Sequence, residues 1–205
     1  ESQKSKVKSP KSNGVLDKWI LSKLHTLVKE VTEGMEAYKL VDASRPIVDF
    51  ITELSQWYVR RSRDRFKGDD EEDKQFALAT LREVLFTLSK IMAPFTPFMA
   101  EKIYKAVGGE MESVHLEDWY EVDKKLVNEK VLEQMNLVRK VVEVGLALRA
   151  EKVLKVRQPL GKLLISEKLS KEFLEIIAEE LNVKKVEVES GQMPSNFVVK
   201  EEGKL

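Results

Sequence analysis

The stretch WYVRRSRDRF, from Trp57 to Phe66, opens with two aromatic side chains and carries four arginines. The apolar side chains around its start recur at helical spacing: Ile47, Phe50, Ile51, Leu54 and Tyr58. Asp42 or Ser44 can cap the start of such a helix, and Gly68 with the acidic residues after it can end it. The stretch therefore predicts the basic end of an amphipathic helix.

Four other amphipathic segments lie before Pro159, each with apolar residues at spacings of three and four. One follows the sequence Ala93–Pro97, where Pro94 disrupts a helix interior and Pro97 suits the first turn of the next helix. That helix should stop at the glycine pair 108–109. The four predicted helices span 15–38, 72–92, 97–107 and 128–152.

The same pattern predicts where several large side chains lie. On the 72–92 helix it turns a line of apolar residues inward: Leu78, Leu81, Leu85, Leu88 and Met92. The connector 110–122 should be anchored by three apolar side chains: Val114, Leu116 and Trp119. A helical bundle with short, anchored connections is the expected arrangement.

The pattern changes after Pro159. Short strands are predicted at 163–165 and 186–188, with an amphipathic helix at 171–181 between them and a further strand candidate at 197–199. The predicted fold is therefore mainly α, an antiparallel helical bundle followed by a small α/β subdomain. Residues 1–13 are expected to be a linker or frayed end, 14–157 the bundle, and 158–205 the α/β subdomain.

Composition narrows the possible functions. The 205 residues carry no net charge, which argues mildly against a protein that coats nucleic acid non-specifically. The chain contains no cysteine, so thiolate nucleophiles and cysteine-based zinc sites are excluded within it. It has no apolar run of membrane-spanning length and its polar start lacks a secretory signal, which predicts a cytoplasmic protein without membrane contact.

The sequence shows no constellation that would support catalysis or metal binding. Its two histidines, His25 and His115, are ninety residues apart and neither has a partner at ligand spacing. We expect His25 on a helix surface and His115 packed within a loop. Phosphate-binding glycine loops are also missing. The predicted catalytic and metal sites of this chain are therefore none.

The basic segment that begins at Trp57 permits two interpretations. Arginine forks suit phosphate oxygens, and aromatic rings stack on bases, so the segment could bind a single-stranded RNA loop. Alternatively, the arginines could pair with Glu53 and with the acidic run 69–73, leaving Trp57 and Tyr58 as core residues. Spacing alone does not decide between them. A second basic stretch, 149–157, is a weaker signal.

Ordered matches to one family favour the RNA interpretation. Residues 15–190 resemble isoleucyl-tRNA synthetases, class I enzymes, in several strings: LDKWILSKL at 16–24, QWYVRRSR at 56–63, MAPFTPF at 92–98, SVHLEDW at 113–119, KVRQPL at 155–160 and ELNVK at 180–184. The resemblance implies the bundle that docks the anticodon stem-loop, followed by a small α/β piece that contacts the tRNA stem. It also implies a parent ligase that attaches isoleucine to tRNA with ATP and magnesium.

By this resemblance the tRNA-binding residues are mainly cations: Trp57, Arg60, Arg61, Arg63, Arg65, Lys67, Arg149, Lys155 and Arg157. The implied partners are tRNA(Ile), through its anticodon stem-loop, and the catalytic and editing domains of the parent enzyme in cis. No cofactor is expected in this chain, which we expect to act as a monomer. The alternative hypothesis is a non-catalytic helical protein-interaction module with an ion-paired surface.

Overall fold

The computed structural model describes residues 14–123 and 125–188. Its internal contacts divide the chain into two compact units between Glu129 and Lys130. The first unit is helical, and the second combines a long helix with a strand–helix–strand segment. The predicted fold class is confirmed. The predicted domain boundary at 157/158 stays a prediction, although the long helix that precedes it groups with the second unit.

The first unit is built from helices that alternate along its sequence with short turns: α1 (Val15–Glu36), α2 (Leu40–Glu53), α3 (Arg63–Lys67), α4 (Glu71–Met92) and α5 (Pro97–Ala106). Helix α1 packs against both α2 and α4, and α4 also contacts α5. Because α1 has neighbours on more than one side, its buried surface is wide and includes Trp19, Ile20, Leu24 and Val28. Within the described part of the chain, no helix is long and apolar enough to cross a bilayer.

The turn between α1 and α2 differs from its prediction. Helix α2 begins at Leu40 without a side-chain cap, rather than at Asp42 or Ser44. The chain reverses at once because Tyr38 takes a left-handed φ of 57°. Gly34 allows the two helices to approach, since an added Cβ there would lie 2.9 Å from the Cβ of Ala43.

The predicted helix that carries the basic segment is not continuous. A π-helical turn, Leu54–Val59, follows α2, so the backbone hydrogen bonds here join residues five apart rather than four. The chain turns again at Ser62 before α3, which ends at Lys67 and is followed by Gly68. Apolar spacing predicted a single helix here because one inserted residue leaves no signal in a short pattern.

The predicted buried placements of Leu78, Leu116 and Trp119 are wrong. Leu78 is 40% exposed, because α4 buries a neighbouring line of smaller residues that includes Ala77, Thr80 and Val84. In the connector only Val114 is buried, whereas Leu116 and Trp119 are 58% and 39% exposed. The connector is held instead by polar contacts, such as the 2.9 Å bond that the Trp119 indole nitrogen donates to the Thr32 hydroxyl.

The second unit contains α6 (Glu129–Glu151), β1 (Leu160–Ile165), α7 (Lys171–Leu181) and β2 (Val183–Val188). The strands are parallel, with Leu160 beside Val183, so β1, α7 and β2 form one βαβ unit. The predicted helix at 171–181 is confirmed, and both strands begin three residues earlier than expected. The strand candidate at 197–199 lies outside the described residues.

Candidate nucleic-acid interface

A buried carboxylate fixes the basic segment to α1. Asp17, in the first turn of α1, is fully buried and accepts a 2.8 Å hydrogen bond from the Tyr58 hydroxyl. The same hydroxyl lies 3.2 Å from the Ala77 carbonyl oxygen. Burial, and then the neighbouring carboxylate, raise the pKa of Tyr58 far above its usual range, so the phenol stays neutral. Tyr58 is therefore a core residue, as the ion-paired interpretation expected.

Arg65 lies between two carboxylates. Its terminal nitrogens contact Oδ1 and Oδ2 of Asp17 at 2.9 Å each, which is a bidentate pair. Its Nε and Nη2 also donate to Asp73, at distances from 2.7 to 3.0 Å. These bonds raise the pKa of Arg65 and lower the pKa of Asp73. The guanidinium thus joins the start of α1, α3 and the start of α4.

The partner of Arg65 on α1 was missed by the sequence analysis. The signal existed, because Asp17 lies three residues before Ile20 and seven before Leu24, on an apolar helix line. Aspartate is almost never fully buried without a partner. A cation from another segment was therefore required, although spacing could not say which one.

Three cations of the same segment face outward: Arg60, Arg63 and Lys67, here called the cationic stripe. They are separated by three and four residues, which places them near one face. Arg60 Nε donates a 2.7 Å hydrogen bond to the Gln56 carbonyl, so the start of this side chain follows the helix. All three side chains are exposed, so a phosphate backbone in solution can approach them.

Trp57 and Arg61 are both half-buried. Trp57 lies three residues before Arg60, beside the stripe, so part of an aromatic ring is accessible next to exposed cations. Arg61 follows the inward line of Tyr58 and Arg65, at spacings of three and four. The structure therefore separates the predicted site residues of this segment by the face on which they lie.

The second basic stretch divides in the same way. Arg149 is only 3% exposed, and its terminal nitrogens lie within hydrogen-bond distance of backbone carbonyl oxygens of its own unit. Burial lowers the pKa of Arg149. Lys155 and Arg157 are exposed. Arg149 was predicted as an RNA contact, but here it holds the backbone together.

Both histidine placements are wrong. His25 is 1% exposed, because α1 packs on more than one side, and its ring lies 5.8 Å from that of Tyr120. Burial lowers the pKa of His25, and the charge of Asp123 opposes that shift. His115 is exposed because the short helical turn Val114–Leu116 buries its first residue instead. No group of three or more metal-ligating side chains occurs in residues 14–123 and 125–188.

Comparison with known proteins gives a consistent result. Residues 17–165 match the family described as the anticodon-binding domain of tRNA ligase. An isoleucine–tRNA ligase of Clostridium novyi (strain NT) is 46% identical over 183 residues, which is 86% of this chain and 18% of that protein. Isoleucine–tRNA ligases of Streptomyces coelicolor and Thermus thermophilus are 44% and 43% identical over 85% and 87% of this chain. The chain spans less than a fifth of the length of these relatives.

Proposed function

Because this chain belongs to the anticodon-binding domain family of tRNA ligases, as a segment matching isoleucine–tRNA ligases, we propose that it binds the anticodon stem-loop of tRNA(Ile). The observation that carries the proposal is the cationic stripe next to a half-buried Trp57. Phosphate contacts from such cations fix the register of an RNA, and base contacts then discriminate among sequences.

The exposure of the cations and of the Trp57 ring supports separate contacts to phosphates and to bases. The side chains of Arg60, Arg63 and Lys67 are exposed, so phosphate oxygens can approach all three. Trp57 and the adjacent helix surface offer stacking to unpaired bases, worth ~1–3 kcal/mol for each base. Arg65 and Arg149 are left out of the proposed contacts, because their donors already serve carboxylates and carbonyls inside the fold.

Within the longer protein, the segment is proposed to supply binding and identity rather than bond chemistry. The parent enzyme would attach isoleucine to its tRNA using ATP and magnesium, and remove misattached valine in an editing domain. Those catalytic and editing domains would act in cis. This segment would carry no catalytic group and bind no cofactor, and the protein would work as a monomer in the cytoplasm.

The test is a comparison of two transcripts with the full chain. One is a tRNA with the isoleucine anticodon, and the other differs only in its anticodon bases. We expect the first to bind about five- to 150-fold more tightly, since one good base-edge hydrogen-bond contact discriminates by ~1–3 kcal/mol, and both affinities to fall with salt.

Equal affinities for the two transcripts would refute anticodon recognition by this chain. Binding of neither transcript at low salt would instead favour the alternative, a protein-interaction module whose arginines serve ion pairs. The Arg65–Asp73 pair supports that alternative for Arg65, whereas the cations of the stripe lie on the outward face.

A further inference from the structure

The turn Lys155–Gln158, here called the basic turn, is held from inside by its carbonyl oxygens. The amide of Gln158 donates a 2.9 Å hydrogen bond to the Lys155 carbonyl, which closes the turn. Arg149 Nη1 and Nη2 donate to the carbonyls of Lys155 and Gln158 at 3.0 and 2.9 Å. The Asn182 side-chain amide donates to the Val156 carbonyl at 3.0 Å. Three of the four carbonyls are thus directed toward the protein.

Arg149 also holds the turn against the end of α7. Its Nη2 lies 2.7 Å from the Leu181 carbonyl oxygen and 3.3 Å from that of Asn182. The C-terminal carbonyls of a helix carry partial negative charge, which a buried cation stabilises. One side chain of α6 therefore joins three pieces of backbone: the start of the turn, its end, and the terminus of α7.

The side chains of the basic turn point the other way. Lys155, Val156, Arg157 and Gln158 are all exposed, and nearly half of the Val156 surface remains accessible, at 47%. Because the carbonyl acceptors are tied inward, the outer side presents two cations and a carboxamide. An anionic oxygen that approaches from this side meets donors.

The backbone that leads into the turn is strained. Val153, just past the end of α6, has a φ of 57° and is 87% exposed. A β-branched residue in the left-handed region is a genuine outlier, and such strain persists only where the surroundings fix it. Two backbone hydrogen bonds fix Val153, from its own amide to the Ala150 carbonyl at 3.0 Å and from the Leu154 amide to the Arg149 carbonyl at 2.8 Å. The side-chain bonds of Arg149 and Asn182 hold the turn that follows, so its conformation is imposed before any ligand arrives.

We propose that the basic turn is a preformed contact for the sugar–phosphate backbone of RNA, and that Arg149 is the residue that positions it. This inference rests on the proposed function, because it takes the RNA to be the tRNA of that ligase. A rigid turn loses little conformational freedom on binding, which favours its use as a fixed contact point. Lys155 and Arg157 touch the RNA, whereas Arg149 acts through the backbone.

A backbone contact and an anticodon contact predict different results. Phosphate contacts carry no sequence information, so the turn should hold a cognate and an anticodon-altered transcript equally. Each phosphate contact contributes ~0.7–0.9 to the slope of log affinity against log salt. Loss of one contact should weaken binding about five- to eightfold at 0.1 M salt, relative to an extrapolated 1 M reference.

The experiment measures salt-dependent affinity of the full chain for both transcripts, by fluorescence anisotropy. The variants on the turn are Lys155→Gln, Arg157→Gln and their combination. The matched control is Lys171→Gln, which removes the same charge from a 91% exposed side chain at the opposite end of α7. We expect the combined variant to lose about 1.5 from the slope for both transcripts, and the control to lose nothing.

The positioning role is tested by two variants that remove no exposed cation. Arg149→Met removes the carbonyl bonds, and circular dichroism establishes whether it folds. Asn182→Gly removes only the amide that holds Val156, while glycine accepts the φ of 48° found at that position. Both should flatten the salt slope as the turn variants do, and adding Arg149→Met to the combined turn variant should cause little further loss.

Each outcome supports or overturns a separate statement. A wild-type slope in the combined turn variant would overturn the contact. Flattening by the turn variants but not by Arg149→Met or Asn182→Gly would overturn the positioning role, and so would a change in Arg149→Met that is restricted to folding stability. Weakening of only one transcript would overturn the backbone assignment.

The affinities of the wild-type chain for the two transcripts distinguish anticodon recognition from the backbone contact of the basic turn. If its two transcripts bind equally but the turn variants weaken both, the turn contact stands and anticodon recognition fails. If the anticodon is discriminated and the turn variants have no effect, the reverse holds. Binding of neither transcript would overturn both.

Discussion

Arg63 and Arg65 lie two residues apart in α3, yet substitution by glutamine should affect them in opposite ways. Arg65→Gln should lower the stability of the first unit and leave RNA affinity unchanged at temperatures where the protein is folded. Arg63→Gln should leave stability unchanged and weaken RNA binding. The reason is that Arg65 is bonded to Asp17 and Asp73, whereas Arg63 is exposed.

The size of the stability effect follows from the burial of Asp17. Its side chain is 0% exposed, so loss of Arg65 leaves a buried carboxylate with only neutral donors, the Tyr58 hydroxyl and the Gly14 amide. Removal of one partner of a buried pair costs roughly 3–5 kcal/mol. The Asp73 side chain is 34% exposed, so its pair adds about 1 kcal/mol or less. We expect about 3 kcal/mol, since glutamine retains one donor group.

The assay is urea unfolding followed by tryptophan fluorescence. All three tryptophans, Trp19, Trp57 and Trp119, lie in the first unit, so the signal reports that unit alone. With a urea dependence of about 2 kcal/mol per molar, the midpoint should fall by about 1.5 M. Arg63→Gln should stay within about 0.5 kcal/mol of wild type, while its RNA salt slope falls by ~0.7–0.9.

A double substitution provides the control. In an Asp17→Asn background the buried negative charge is gone, so adding Arg65→Gln should cost far less than it does alone. The reasoning is refuted if Arg65→Gln costs less than about 1 kcal/mol and flattens the RNA salt slope as much as Arg63→Gln does. The guanidinium of Arg65 would then be available to phosphate in solution.

The unfolding free energy should fall as the pH drops below 6.5, the ordinary pKa of histidine, because the unfolded chain binds a proton there while buried His25 resists it. In urea titrations between pH 6.5 and 5, His25→Gln should remove this fall in unfolding free energy. The control His115→Gln, at an exposed position, should retain it. An unchanged pH profile in His25→Gln would count against a buried neutral ring. Gly34→Ala should destabilise the first unit by about 1 kcal/mol, because its Cβ would lie 2.9 Å from the Cβ of Ala43 and about 1–3 kcal/mol of overpacking outweighs the helix propensity gained. A raised urea midpoint for Gly34→Ala would contradict the close approach of α1 and α2.

The elements of the fold could be predicted from the sequence, because apolar periodicity and proline or glycine breaks act locally. Helix α7 was predicted at its observed bounds, and α1, α4, α5 and α6 within one or two residues at each end. Which face of each helix is buried was harder to predict. The buried side of α1 is wide enough to include His25, and the buried line of α4 is displaced from Leu78 toward Ala77. Both depend on which helices pack nearby, which spacing does not contain.

The candidate site could be predicted only as a segment. Residue type and spacing marked the four arginines of 57–66 alike, and resemblance assigned them one role. The structure separates them because one buried carboxylate, 48 residues earlier in the chain, binds Arg65. Arg149 shows the same limit, since its acceptors are the carbonyls of a turn and of a helix end 32 residues away. Long-range partners decide which cation faces solvent.

The number of residues in the π-helical turn Leu54–Val59 sets which way the arginines after it face. An α-helix advances by about 100° for each residue, so removing one residue from this turn would rotate everything after it by about that angle. Arg65 would leave Asp17, and a different set of arginines would face outward from an otherwise unchanged sequence. A single-residue deletion at this turn is therefore equivalent to exchanging the inner and outer cations of the segment. The number of residues in this turn therefore determines which cations of the segment face solvent.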